Sequence, residues 1–145
     1  MLKNDKSLRT TSLILAACLS VPQFVVGLAI LSFSGIDLEM SARWNNAVWL
    51  VPLLELPLFG LTFVSRRLLR WAIWMAFAGN YCCGVALEAR ECSRGNCIPA
   101  GPIGTAFMDA LGCLLFPQVF LSLIIAILVD YSYRLGRRER LNLVQ

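Results

Sequence analysis

The chain has 145 residues, of which 58% are hydrophobic and 15% charged, and its formal net charge is +4. Ordinary soluble domains contain about 45–50% apolar residues, so this content and the mean hydropathy of +0.68 argue against a soluble fold. The basic residues lie in short clusters beside apolar runs and never along one amphipathic face, which argues against nucleic-acid binding. The composition therefore predicts a single membrane domain with the lipid bilayer as its surroundings.

Four apolar segments, each bounded by charged residues, predict four transmembrane helices over about 12–33, 47–64, 70–88 and 105–129. A helix needs about 20 residues to cross the hydrocarbon core, and the second and third segments lie near the lower limit. The predicted fold class is all-α, a polytopic bundle of four transmembrane helices with outer loops at 34–46 and 89–104. Helices are expected because an open sheet leaves backbone groups unpaired in lipid.

The basic residues also predict the orientation of the helices. Ten of the thirteen precede helix 1, fill the turn between helices 2 and 3, or follow helix 4. The positive-inside rule then places both termini in the cytoplasm. The tryptophans and tyrosines near the helix ends fit the aromatic belts expected at lipid headgroups. We therefore predict a multi-pass protein of a bacterial inner membrane.

One polar residue falls near the middle of each predicted helix: Gln23, Glu55, Asn80 and Gln118. Each lies within about two residues, or roughly 3 Å, of its helix midpoint at 1.5 Å rise per residue. Polar groups in lipid are costly unless they pair, so the four are expected to face inward and bond to one another. Glu55 is expected to be protonated, since no basic side chain lies within the apolar run of any span, the third of which begins just after Arg70. This intramembrane polar layer is either a proton-relay or ligand site or an interhelical clamp.

Two local patterns accompany the layer. Pro52 and Pro57 flank Glu55, and because each proline removes a helical hydrogen bond, helix 2 is expected to be kinked there. Helix 3 carries a packing stripe of small residues on either side of Asn80, at a spacing of four, which lets helix backbones approach closely. The stripe consists of Ala72, Ala76 and Gly84.

Five of the six cysteines lie toward the predicted outer side. Cys92 and Cys97 fall in the second outer loop at C-x4-C spacing, and in an oxidising exterior they are expected to form a disulfide. The other outer-half thiols are expected to pack as small apolar side chains. These are Cys82, Cys83 and Cys113.

The four-helix layout with both ends inside resembles the DsbB and vitamin K epoxide reductase group of membrane thiol oxidoreductases. That resemblance implies thiol–disulfide exchange through Cys92 and Cys97, with a quinone as the cofactor. The group uses a C-x-x-C redox pair, however, and this sequence has none. Without the resemblance the sequence indicates no cofactor.

The sequence contains few of the residue patterns that catalysis requires. The absence of histidine removes most zinc sites, bis-His haem and the Ser-His and Cys-His nucleophile pairs, and there is no phosphate-binding glycine loop. No catalytic or metal-binding residue is predicted. The leading hypothesis is a non-enzymatic bundle that binds another membrane protein, as an accessory subunit or as an immunity protein against a pore-forming toxin. The alternatives are a thiol oxidoreductase and a small proton-coupled transporter centred on Glu55.

Overall fold

The computed structural model describes residues 2–33, 51–93 and 117–142. All regular structure within these ranges is helical, which confirms the all-α prediction for this part of the chain. The short α2 ends in a 3₁₀ segment, Phe59–Phe63, and only residues 64 and 65 separate it from the next helix. The four helices are α1 (Leu2–Phe33), α2 (Val51–Phe63), α3 (Arg66–Ser93) and α4 (Pro117–Asn142).

The helices extend beyond the apolar segments at several ends. α1 begins at residue 2 where hydropathy indicated about 12, and α4 continues to residue 142 where it indicated about 129. Hydropathy marks only the part of a helix that favours lipid, whereas Lys, Arg and Leu sustain a helix well into water. α3 likewise continues to Ser93, so Cys92 lies in its last turn and the prediction that placed this residue in a loop is wrong. The predicted helical residues 105–116 lie outside the described ranges.

α2 changes from α-helix to 3₁₀-helix after its second proline, which is later in the helix than the kink expected around Glu55. The chain is α-helical over residues 51–58, past Glu55, and tightens into the 3₁₀ segment two residues after Pro57. Because proline has no N–H to donate, the backbone carbonyl four residues earlier loses its helical partner. The segment closes with the backbone N–H of Ser65 donating to the carbonyl of Leu61 at 2.8 Å, which brings α2 directly to the start of α3.

α4 is the central helix of the described structure, because both α1 and α3 pack along it. The interface is built around side chains that are almost completely buried, and two of them are alanines, which allow a close approach between helices. The residues of this core are Ala16, Leu69, Ile73, Ile125, Ala126 and Val129.

α1 has an inverted distribution of side chains. Its exposed positions carry large apolar residues, among them Ile14, Val25 and Leu28. Its buried positions follow a helical stripe of small or polar residues that faces α4. A helix on the surface of a soluble protein has the opposite arrangement, with its apolar stripe turned toward the core. The buried stripe consists of Ser12, Ala16, Ser20, Gln23 and Gly27.

Two of the helices are long and apolar enough to cross a membrane, over Lys6–Ala29 in α1 and Pro117–Glu139 in α4. α2 is apolar but shorter, at Val51–Phe63. α3 is long, but its apolar stretch is interrupted by Asn80 and by glycines, which lower its hydropathy. Length and composition thus support membrane association through α1 and α4.

A buried polar cluster as the candidate functional site

Each of the four helices contributes a polar group to one buried cluster. The side chains are Gln23 of α1, Glu55 of α2, Asn80 of α3 and Ser122 of α4, and none is more than 3% exposed. The backbone carbonyl of Gln118, one turn before Ser122, completes the group. We call these five groups the buried polar cluster. It is the point at which residues far apart in sequence hold all four helices together.

The carbonyl of Gln118 fixes the orientation of two amide side chains. Nε2 of Gln23 donates to it at 2.9 Å, and Nδ2 of Asn80 donates to it at 3.3 Å. Because a carbonyl oxygen only accepts hydrogen bonds, both amides must turn their nitrogen toward it. α1 and α3 are therefore linked to the same turn of α4 by directional bonds as well as by packing.

Ser122 connects the amides to the carboxyl group. Its hydroxyl accepts a hydrogen bond from Nδ2 of Asn80 at 2.9 Å and donates to Oε1 of Glu55 at 2.5 Å. A single hydroxyl thus uses both its acceptor and its donor capacity in interhelical bonds. The resulting chain runs from α3 through α4 to α2.

Three acceptor oxygens in the cluster have no hydrogen-bond partner among the described residues: Oε1 of Gln23, Oε2 of Glu55 and Oδ1 of Asn80. Buried polar groups are normally paired, and each unpaired one is costly. The side chains of the cluster carry five N–H and O–H donors, and four of them form the bonds described above, which leaves one N–H of Gln23 without an acceptor in the same ranges. The three unpaired acceptors thus outnumber the one unused donor, and a proton on Glu55, a donor-bearing solute or a cation can make up the difference.

The structure brings together most, but not all, of the residues predicted from sequence. Gln23, Glu55 and Asn80 meet as predicted from their depth, whereas Gln118 contributes its backbone and leaves its half-buried side chain outside the network. Ser122 was missed, although it lies one helical turn after Gln118, on the same face of α4. A hydroxyl in an apolar helix gives a weaker signal than an amide or a carboxyl group.

The packing stripe of α3 is present in modified form. Ala76, Asn80 and Gly84 are buried on one face of the helix. Ala72 is only half-buried, because Ile73 takes the inward position and is completely buried against α4. On a neighbouring face, a Cβ added to Gly79 meets the side chain of Val51 at 3.7 Å, so α2 and α3 are in close contact at this level.

Two groups of ion pairs lie beyond the cluster, toward the basic ends of the helices. The buried Asp130 pairs with Arg70 of α3 and with Arg134, whose Nε donates to it at 2.6 Å. Nearer the chain ends, the mostly buried Glu139 pairs with Nη1 of Arg9 at 3.1 Å and with Nζ of Lys6 at 3.4 Å. These pairs join α1, α3 and α4 at the end that carries most of the positive charge.

The described cysteines are unpaired. Cys18 and Cys82 are exposed and Cys83 is half-buried, all as free thiols. The side chain of Cys92, together with Cys97 and Cys113, lies outside the described residues, so the disulfide and the redox pair stay predictions. Within the ranges that the structure describes, no group of three or more Cys, Asp or Glu side chains is placed to hold a metal ion.

The chain matches no protein-family model, no curated protein and no solved structure.

Proposed function

We propose that this chain is a multi-pass inner-membrane protein that exchanges protons for a small cationic or hydrogen-bond-donating solute at Glu55. The observation that carries this proposal is the donor deficit of the buried polar cluster: three buried acceptor oxygens from three different helices have no partner within 2–33, 51–93 and 117–142. An ionised Glu55 suits a cation, whereas a protonated Glu55 supplies the missing donor itself. Proton and solute therefore compete for one carboxyl group, which couples their movements.

Membrane integration is supported by the inverted pattern of α1. In a helix bundle surrounded by lipid, the burial of large apolar side chains gives no hydrophobic stabilisation, so its interfaces are made of small and polar residues. The buried stripe of α1 has this composition, and Trp71 and Met75 of α3 are also exposed, at 58% and 69%. We extend the proposed membrane location to all four helices, with the apolar parts of α2 and α3 as short spans.

The basic residues support a topology with both termini in the cytoplasm. We therefore expect a green fluorescent protein fused after Gln145 to fluoresce, and a bacterial alkaline phosphatase fused at the same position to be inactive. The first reporter folds in the cytoplasm and the second requires the oxidising periplasm. An active phosphatase together with a dark fluorescent fusion contradicts this orientation.

The state of Glu55 is testable with dicyclohexylcarbodiimide, an apolar reagent that attacks protonated carboxyl groups. We expect peptide mass spectrometry of treated membranes to find the adduct on Glu55, because this carboxyl has no cationic partner among the described residues. Asp130 and Glu139 serve as internal controls, since both carboxyl groups are paired with arginines, whereas Glu55 is not. Equal labelling of all three, or no labelling of Glu55, contradicts the proposed exchangeable proton.

A second function is favoured by a different property of the same cluster. Four of its five N–H and O–H donors form bonds between helices, as expected of a clamp that fixes the outer surface of the bundle. In that case the protein acts through its lipid-facing surface, by binding another membrane protein as an accessory subunit or an immunity protein. Glu55→Gln separates the two functions: a clamp keeps its hydrogen bonds and its protein partner, whereas a proton exchanger loses its exchangeable proton.

A further inference from the structure

A second site lies at the basic end of the bundle, away from the buried polar cluster. A cavity of about 630 Å³ opens between the start of α1, the turn joining α2 to α3, and the last part of α4. Ten of the residues that the structure describes line it, and none of these is Asp or Glu. Four of the ten are arginines that come from three helices: Arg9, Arg66, Arg67 and Arg137.

The positive charge of this cavity is only partly neutralised. Arg9 is balanced by Glu139. Within the part of the chain that the structure describes, neither Arg67 nor Arg137 forms an ion pair, and both are exposed. The Nε of Arg9 is buried and makes no hydrogen bond, although another nitrogen of the same guanidinium pairs with the carboxylate. The cavity therefore presents surplus cationic charge and unused N–H donors.

The backbone reinforces this charge. Arg66 and Arg67 are the first two residues of α3. The first backbone N–H of this helix that donates to a carbonyl one turn earlier is that of Leu69, which bonds the carbonyl of Ser65 at 3.0 Å. The N–H groups of Arg67 and Leu68 have no acceptor within the helix, and the helix dipole places partial positive charge at the same end. No acidic residue occupies the first turn to use these groups.

A close backbone approach keeps the wall of the cavity in place. A Cβ added to Gly136 lies 3.1 Å from Nη1 of Arg9 and 3.3 Å from its Cδ, so the glycine leaves room for the arginine to lie against α4. The hydroxyl of Ser132 donates to the backbone carbonyl of Arg9 at 3.0 Å and ties the same two helices together. Arg9 is thus held against α4 through its backbone by Ser132 and through its guanidinium by the ion pair with Glu139.

We propose that this cavity binds a phosphate-type anion. Arginines match phosphate oxygens with paired N–H donors, and a helix N-terminus adds further donors. Two sources share this chemistry, the headgroup of an acidic phospholipid and a free phosphate. The lipid source is favoured by Phe63 and Val64, which flank the turn at 95% and 73% exposure and offer an apolar surface for acyl chains. Basic pockets between membrane helices on the cytoplasmic side commonly hold such headgroups.

The test uses the full-length protein in zwitterionic detergent, with thermal unfolding followed by tryptophan fluorescence. The probes are phosphatidylglycerol and inorganic phosphate, with phosphatidylcholine and chloride at equal ionic strength as their controls. A ligand that binds the folded state raises the midpoint temperature in a concentration-dependent way, which gives an apparent Kd. We expect phosphatidylglycerol to stabilise the protein and phosphatidylcholine not to.

Two adjacent arginines provide a matched pair of variants. Arg137 lines the cavity, whereas Arg138 is equally exposed on the next position of α4 and does not line it. We expect Arg137→Gln to weaken binding about five- to tenfold, because each arginine near an anionic headgroup contributes substantially, and Arg138→Gln to change it less than about twofold. Arg67→Gln should repeat the larger effect from a different helix.

The outcomes assign the site and its ligand. Arg137-dependent stabilisation by phosphatidylglycerol alone identifies a lipid headgroup, and the same dependence with inorganic phosphate alone identifies a free anion. Stabilisation by both supports a general phosphate site. No stabilisation by either probe, or an equal loss from Arg137→Gln and Arg138→Gln, overturns the proposal.

Discussion

Ser122→Ala is expected to lower the free energy of unfolding by about 2 kcal/mol, although it removes only one oxygen atom. The hydroxyl makes two bonds between helices, one to Asn80 and one to Glu55. Interhelical hydrogen bonds in membrane proteins are worth about 0.6 kcal/mol on average and up to about 1.7 kcal/mol, because the separated helices find other partners. The expected loss is the sum of two such bonds.

Ser20→Ala is the matched control. Ser20 is also completely buried, but its hydroxyl donates at 2.7 Å to the carbonyl of Ala17 in its own helix. That carbonyl can keep its helical backbone partner when the hydroxyl is removed, so we expect a change below about 0.5 kcal/mol. The measurement is unfolding in mixed micelles with increasing denaturing detergent, followed by circular dichroism. Equal losses from the two serines would show that the buried polar cluster does not hold the helices together.

The position of the cluster could be predicted from sequence because the midpoint of each apolar segment can be found by counting residues. Counting from the centre of each apolar segment placed Gln23, Glu55 and Asn80 at one level, and the structure brings all three together. The sequence could not show which atoms of α4 would meet them. Hydropathy treats Gln118 as a side chain, whereas the group that bonds is its backbone carbonyl.

The ends of the helices were less predictable, for a related reason. Apolar composition ends where a helix leaves lipid, but ion pairs at the basic ends of the helices keep the helices packed together beyond that point. Arg9 and Glu139 lie outside the predicted spans and still join α1 to α4. Such ion pairs depend on the rotation of one helix relative to another, and this rotation cannot be deduced from a single sequence. The arginine-lined cavity could not be predicted for the same reason, because in the sequence its arginines contribute only to the number of positive charges at that end.

The buried stripe of α1 follows the same kind of small-residue pattern that the sequence shows on α3. Ser12, Ala16 and Ser20 recur every four residues, and Gln23 and Gly27 continue the same face. Alanine and glycine make such a pattern conspicuous in a sequence. Serine makes it less conspicuous, although serine is also small and packs between membrane helices.

Loss of solute-driven proton movement in Glu55→Gln is the other large effect that we expect. Glutamine has nearly the same shape as glutamate and can still accept the hydrogen bond from Ser122, so the bundle should stay folded. It cannot, however, release and rebind a proton. The variant therefore removes the exchange reaction and leaves the helix contacts in place, which circular dichroism and the unfolding free energy can verify.

The measurement that tests this account most directly is proton flux in proteoliposomes that hold an acidic interior, monitored with an enclosed pH-sensitive dye. A panel of small ammonium and guanidinium compounds is added outside, because the unpaired oxygens of Gln23, Glu55 and Asn80 call for donor-bearing or cationic solutes. We predict that at least one compound dissipates the pH gradient through the wild-type protein and that none does so through Glu55→Gln. Equal dissipation by both proteins, or none by the wild type with any compound, contradicts proton exchange at Glu55.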